Sequence, residues 1–188
     1  SFYVDGEIQW KPYENYIFQT IWDGKGEDTY DFSNYSTGLS IDLNPGAWTI
    51  TSEEQRADLL NNNLWDDIKE WFGTKVLARG NIANALLYQY DIRSYIENAV
   101  GGSGNDKIAG NYTNNKLFGG LGDDTMGGGL GNDTLVGGAG KDSLNGNHGI
   151  DTADYSDKTS AVSVTLNGAT AATVTLGGVA EDSIQNIE

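Results

Sequence analysis

Between residues 101 and 154 an apolar side chain returns at every ninth position: Ile108, Leu117, Met126, Leu135, Leu144 and Ala153. A period of nine is neither the 3.6 of a helix nor the sustained alternation of a long strand, and instead marks a repeated turn-plus-strand unit. Cut from Gly101, the stretch reads GGSGNDKIA, GNYTNNKLF, GGLGDDTMG, GGLGNDTLV, GGAGKDSLN and GNHGIDTAD. Gly opens all six nonapeptides, and Asp stands sixth in five of them, with Asn115 in the second. Each unit is a Gly-rich turn followed by a short strand, so two units make one coil. Turns two repeats apart then stack on one edge, and the eighth-place side chains point inward between two sheets as a thin apolar core. A Gly/Asn/Asp-rich disordered linker is the competing interpretation, but low complexity does not hold an apolar residue at every ninth place.

Upstream, alternating segments predict strands at Phe2–Val4, Glu7–Trp10 and residues 16–22, with Asp5-Gly6 as the hairpin turn between the first two. A longer repeat lies behind them. DTYDFSNYSTGLSIDLN (28–44) aligns without gaps on DTADYSDKTSAVSVTLN (151–167), and an Ile-Glu pair follows each, Ile96-Glu97 and Ile187-Glu188. The first copy carries an insertion. Ser52 and Gln55 form a capping box there, and Leu59, Leu60, Leu64, Trp65, Ile68, Trp71 and Phe72 follow at helical spacing before Gly73. Asn61-Asn62-Asn63 divides that run into two short helices. Residues 161–188 alternate Thr and Val as strands do, and their far end is expected to pack imperfectly with no further roll to stack on. The expectation is an all-β chain: a parallel β-roll of six nonapeptides stacked on a β-sandwich-like N-terminal part, with a short helical insertion near 51–73. In domains this gives a cap over 1–100, the roll over 101–154, and over 155–188 the start of a second β unit, as in a piece of a longer modular protein.

Charge and composition narrow the chemistry. The 188 residues carry a net charge of −16, which argues against nucleic acid or an anionic membrane as partner and calls for bound cations. Cysteine is absent, so disulfides cannot staple the thin core and a metal is the natural substitute. No apolar run approaches the ~18 residues of a membrane span, and SFYVDGEIQW is no signal peptide. Glycine lets the turns take φ > 0 and aim carbonyl oxygens inward, while the sixth-place Asp adds carboxylate oxygen. Two stacked turns then surround a hard cation with about six oxygens, which suits Ca²⁺. One edge uses Asp106, Asp124 and Asp142 and the other Asn115, Asp133 and Asp151, which predicts sites at 106/124, 124/142, 115/133 and 133/151. The site containing Asn115 is expected to be weakest, because a neutral amide replaces a charge. A further calcium loop is expected at DGKGEDTYD, with carboxylates from Asp23 and Asp28 and carbonyls from Gly24 and Gly26; a plain acidic turn is the competing interpretation. The single histidine, His148, sits third in the last nonapeptide, where almost any residue fits. Without a second His or any Cys, neither a zinc protease site nor a Ser-His or Cys-His dyad can be built.

QTIWDGKGEDTYDFSNYS, SIDLNPGAW and IENAVGGSGNDKIAGN resemble the C-terminal calcium domain of serralysin-type secreted metalloproteases, within the wider repeats-in-toxin group. The resemblance covers residues 17–154 apart from the insertion near 51–90. It implies a Ca²⁺-dependent roll exported by a type I secretion system and folding outside the cell. It also implies ligands at Gly102, Gly104, Asp106, Gly120, Gly122, Asp124, Gly129, Gly131, Asp133, Gly138, Gly140, Asp142, Gly149 and Asp151. The protease's zinc signature is absent, as is the family's acidic C-terminal export signal. The leading expectation is therefore a non-catalytic calcium-binding module, monomeric when isolated, that serves a larger secreted or cell-surface bacterial protein. The alternative is an adhesive module gripping glycan or peptide with Trp48, Trp65, Trp71, Tyr88 and Tyr90. A carbohydrate lyase or epimerase is disfavoured, since no acid and base pair at legible spacing.

Overall fold

The computed structural model describes residues 2–4, 7–10, 19–21, 26–52, 82–84, 95–166 and 170–188. Among the described residues every regular element is a strand: β1 (Phe2–Val4), β2 (Glu7–Trp10), β3 (Gln19–Ile21), β4 (Thr29–Asp31), β5 (Ser40–Asp42), β6 (Trp48–Thr49), β7 (Ile82–Asn84) and β8 (Asn98–Val100) precede the repeats. The six nonapeptides supply β9 (Lys107–Ala109), β10 (Lys116–Leu121), β11 (Thr125–Leu130), β12 (Thr134–Ala139), β13 (Ser143–His148) and β14 (Thr152–Ala153). Then come β15 (Val162–Ser163), β16 (Ala172–Leu176) and β17 (Val179–Gln185). The Asp5-Gly6 turn, Asp23, Gly24 and the expected helix from residue 53 onward lie outside the described residues.

Successive nonapeptides alternate between two facing sheets. One has the order β14-β12-β10-β8-β4-β1-β2, the other β15-β16-β17-β13-β11-β9-β5. Pairing within the repeats is parallel and in strict register, with Leu117 opposite Leu135 and Met126 opposite Leu144. Among the described residues of the N-terminal part, β4 and β5 continue the roll's own two sheets, Tyr30 pairing with Ala99 and Ile41 with Ile108. Beside them β3, β7 and β6 form a small third sheet. At the far end β17 lies parallel to β13 with Ile184 opposite Leu144. It is reached through an antiparallel hairpin from β16 that turns at Gly177 and Gly178, both at positive φ.

One apolar core runs through all of this. Tyr30, Phe32, Ile41, Leu43 and Ile96 fill its N-terminal end, and Ile108, Leu117, Met126, Leu135 and Leu144 its middle. Ala172, Val174 and Ile184 close the far end, while Val162, Val164, Leu166 and Val179 nearby stay exposed. Tyr30 and Phe32 meet edge to face at 5.8 Å, and the Tyr30 hydroxyl donates to Asn84 Oδ1 at 2.6 Å. A nonapeptide buries only one such side chain, worth about 1.5–3 kcal/mol. That is little against the backbone entropy of nine ordered residues, about 1–2 kcal/mol each. The turns must therefore contribute to stability as well.

Candidate metal centre

The turns stack as the spacing predicts. Asp106 N–H donates to Asp124 Oδ1 at 2.7 Å, and Asp124 N–H to Asp142 Oδ1 at 2.9 Å. On the other edge Asn115 N–H donates to Asp133 Oδ1 at 2.7 Å and Asp133 N–H to Asp151 Oδ1 at 2.8 Å. One oxygen of each carboxylate is thus taken up by the neighbouring turn. The second oxygen, Oδ2 of Asp124, Asp133, Asp142 and Asp151, is buried and has no hydrogen-bond partner. These four residues are 1–2 % exposed. An uncompensated buried carboxylate costs several kcal/mol, so these oxygens call for a proton or a bound cation.

The glycines bring main-chain oxygen to the same gaps. A Cβ on Gly119 would sit 2.2 Å from Asp124 Oδ2 and 2.5 Å from the Gly137 carbonyl oxygen. On Gly128 it would sit 2.2 Å from Asp133 Oδ2 and 2.7 Å from the Gly146 oxygen. Second- and fourth-place glycines stand at positive φ, Gly120 at 112°, Gly122 at 105°, Gly129 at 112° and Gly131 at 104°, followed by Gly138, Gly140 and Gly149. Their carbonyls face the next coil: the Gly120 oxygen lies 2.0 Å from where a Cβ of Gly138 would be. Among the described residues no three Asp, Glu or His side chains cluster; each gap gathers carboxylate and carbonyl oxygen instead. Mixed oxygen donors of this kind fit Ca²⁺, with its six to eight hard ligands.

The first coil is built differently. Asp106 Oδ1 accepts from Leu39 N–H and Oδ2 from Gly102 N–H, both at 2.7 Å, which leaves neither oxygen bare. Asn115 Oδ1 accepts from Asn111 N–H at 2.8 Å, and its amide donates to Glu97 O at 2.7 Å and to Asn111 Oδ1 at 3.1 Å. Left-handed φ in the repeat turns begins only at Gly120, so Gly102 and Gly104 hold another turn conformation. Three residues that extend the columns escaped the sequence reading as site residues. Asp28 N–H donates to Glu97 Oε2 at 2.9 Å, Asp151 N–H to Glu188 Oε2 at 3.0 Å, and Asp142 N–H to Asp182 Oδ1 at 2.8 Å. The duplicated Ile-Glu pair carried the signal for Glu97 and Glu188. For Asp182 the signal was GGVAEDSIQ (177–185), with Gly in the first two places, the acid in the sixth and an inward apolar residue in the eighth, as in the repeats. Asp28 is buried, and Gly26 beside it stands at φ 126°. His148 is exposed on its turn.

Burial pushes Asp124 up to about 7, and Asp133 and Asp142 up to about 6, with neighbouring carboxylates adding to the rise and backbone N–H donors opposing it. Because these pKa values are raised on folding, the metal-free fold holds protons that the unfolded chain releases. Its stability is therefore greatest at low pH and declines as pH rises through 6 to 7. Protons and cation compete for the same oxygens. Calcium affinity is expected to rise from pH 5 to pH 7.5, by roughly tenfold per unit for each carboxylate still protonated. Isothermal titration at three pH values checks this, and a pH-independent midpoint would mean that these carboxylates do not bind the ion.

Residues 100–135 and 128–153 match the family described as RTX calcium-binding nonapeptide repeat (4 copies). Residues 10–51 match the family described as Peptidase M10 serralysin C terminal. Among curated proteins, Metalloprotease AprA of Pseudomonas entomophila (strain L48) is 35% identical over 92 residues, 49% of this chain and 13% of the relative. The chain thus spans only a small part of that protein's length. Repeats of this family bind calcium, so Ca²⁺ is the ion that the turns take.

Proposed function

We propose, from the premise that this chain carries a serralysin-type C-terminal calcium-binding domain with RTX repeats, that it is a non-catalytic module which folds on calcium and supports export and stability of a larger bacterial protein. The observation that carries this reading is the row of buried, unpartnered Oδ2 atoms on Asp124, Asp133, Asp142 and Asp151. A bound divalent ion supplies positive charge and a coordination shell. The chain supplies the cage: on one edge Asp124 with the carbonyls of Gly120 and Gly122, facing the turn of Gly138, Gly140 and Asp142, and on the other Asp133 and Asp151 with the turns of Gly129, Gly131 and Gly149. In the first coil, where Gly102 and Gly104 stand, the Asp106 carboxylate is held by the N–H groups of Gly102 and Leu39, and Asn115 holds its turn by amide donors, so these positions contribute weaker sites. Asp28 and Gly26 lie just before β4, and they complete the proposed ligand set together with Asp23 and Gly24.

Such a module works as a compartment switch. In a calcium-poor cytosol its carboxylates repel one another, the chain stays open and passes through a narrow exporter of the type I kind. Outside, at millimolar calcium, the same carboxylates become ligands and the roll closes. The likeness to the serralysin C-terminal family and to a metalloprotease supports a secreted protease as the parent and an extracellular location. Native mass spectrometry of the purified domain tests the proposal: at least two ions are expected in calcium and none in equal magnesium, whose small octahedral shell the wide carbonyl cage does not suit. Equal uptake of both ions, or of neither, would defeat it.

A further inference from the structure

We propose that Lys158 is the resident cation of the last turn on the Asp106/Asp124/Asp142 edge, where it fills a position that otherwise takes a divalent ion. This rests on reading the turns as calcium sites. The gap in question lies beyond the turn 137–142. In lower coils the second-place carbonyl faces the coil that follows, as the Gly120 oxygen does toward Gly138. By the same geometry the Gly138 carbonyl faces outward past its own turn, and there the Lys158 ammonium donates to it. Asp142 Oδ2 is buried beside that gap without a hydrogen-bond partner, and Asp182, 3 % exposed, borders it by accepting from Asp142 N–H.

What distinguishes this gap is the missing opposite wall. A Cβ built on Gly101, Gly110, Gly119, Gly128 or Gly146 would meet a main-chain oxygen of a following segment within 2.0–2.7 Å. On Gly137 the three nearest atoms all belong to Asp142 of its own turn, out to 2.9 Å, so no main-chain oxygen comes as close as in the other turns. The strand that carries Asp182 arrives through the antiparallel hairpin at Gly177 and Gly178, and it brings a carboxylate to the gap with no main-chain oxygen as close to Gly137 as in the other turns. Two buried carboxylates and an outward carbonyl remain, and these need a positive charge more than they need a cage. Lys158 supplies it. Its N–H bonds to Tyr155 O at 3.0 Å, which fixes the turn, and its side chain is only 13% exposed, with Asp157 Oδ2 at 3.3 Å on the open side. A compact ammonium with three donors serves such a one-sided set of oxygens, whereas Ca²⁺ needs six or more around it. One end of the roll is thereby neutralised without metal.

The test counts ions. Native mass spectrometry in saturating calcium is run on the wild type, K158Q, K158R and the double variant K158Q/D182N. K158Q is expected to bind one ion more than the wild type, because water and the vacated oxygens complete a shell on Asp142, Asp182 and Gly138. K158R, which keeps a cation, holds the wild-type number, and D182N in the K158Q background returns to it. The same non-zero count in wild type and K158Q overturns the assignment of Lys158 while leaving the calcium reading intact. A wild type that binds no ion at all overturns both.

Discussion

In a calcium chelator the domain loses its β structure, and in millimolar calcium it regains it. This is the largest effect expected from the structure. The gaps bounded by Asp124/Asp142 and Asp133/Asp151 each have a bare carboxylate oxygen and facing carbonyls. An ion that binds the folded but not the open chain stabilises by about 2.7 kcal/mol per site at a hundredfold excess over Kd. Two such sites give about 5 kcal/mol, the same order as the entire net stability of many domains, about 5–15 kcal/mol. The chelated chain must also bear its carboxylates buried and unpaired, or protonated. Far-UV circular dichroism and scanning calorimetry in calcium, in EGTA and in magnesium read the effect directly. A melting transition that stays in place in EGTA would show that hydrogen bonds and the apolar core hold the roll unaided.

The second large effect comes from a single methyl group. Gly128→Ala is expected to destabilise the calcium-loaded domain by roughly 3 kcal/mol or more and to weaken binding at Asp133, because no rotamer removes a Cβ. That atom would meet Asp133 Oδ2 at 2.2 Å and the Gly146 oxygen at 2.7 Å, one a side chain held by its own column and the other backbone. The adjacent Gly127→Ala is the control. Its Cβ would meet only Asn147 Nδ2 at 3.2 Å, the end of an exposed side chain, and its φ is not left-handed. A change within about 1 kcal/mol is expected there. Chemical denaturation of both variants in saturating calcium, with calcium titration alongside, makes the comparison. Equal losses at the two positions would refute the view that first-place glycines leave room for the ion.

The repeat made the two columns legible before any coordinates, because a period of nine fixes both which side chains enter the core and which turns stack. Ile108 through Leu144 are buried as the eighth places require, and the sixth places stand in register across both edges. Hydrogen-bond bookkeeping was not legible. Asp106 reads as the equal of Asp124 in sequence, yet Leu39 N–H, just ahead of β5 and distant in the chain, takes one of its oxygens. The neutral Asn115 is the ground for expecting a weaker position; that its amide is fully engaged by Glu97 and Asn111 depends on how the N-terminal strands meet the first coil. Asp182 and Lys158 lie outside the nonapeptides, and only the path of the last hairpin brings them to the end of a column. The apolar stripe that predicted helices near 51–73 falls mainly outside the described residues.

The alternation of successive strands between two sheets imposes a parity rule on this architecture. β4 and β5 start the parallel run of one sheet each, and β14 and β17 finish it. Duplicating one nonapeptide within the roll would deliver the last hairpin to the wrong sheet and carry Asp182 and Lys158 to the opposite edge. Duplicating two restores every partner one coil further along. The length of such a roll is therefore free to drift over generations, but only in whole coils, because an odd copy separates the acidic end from the column it closes.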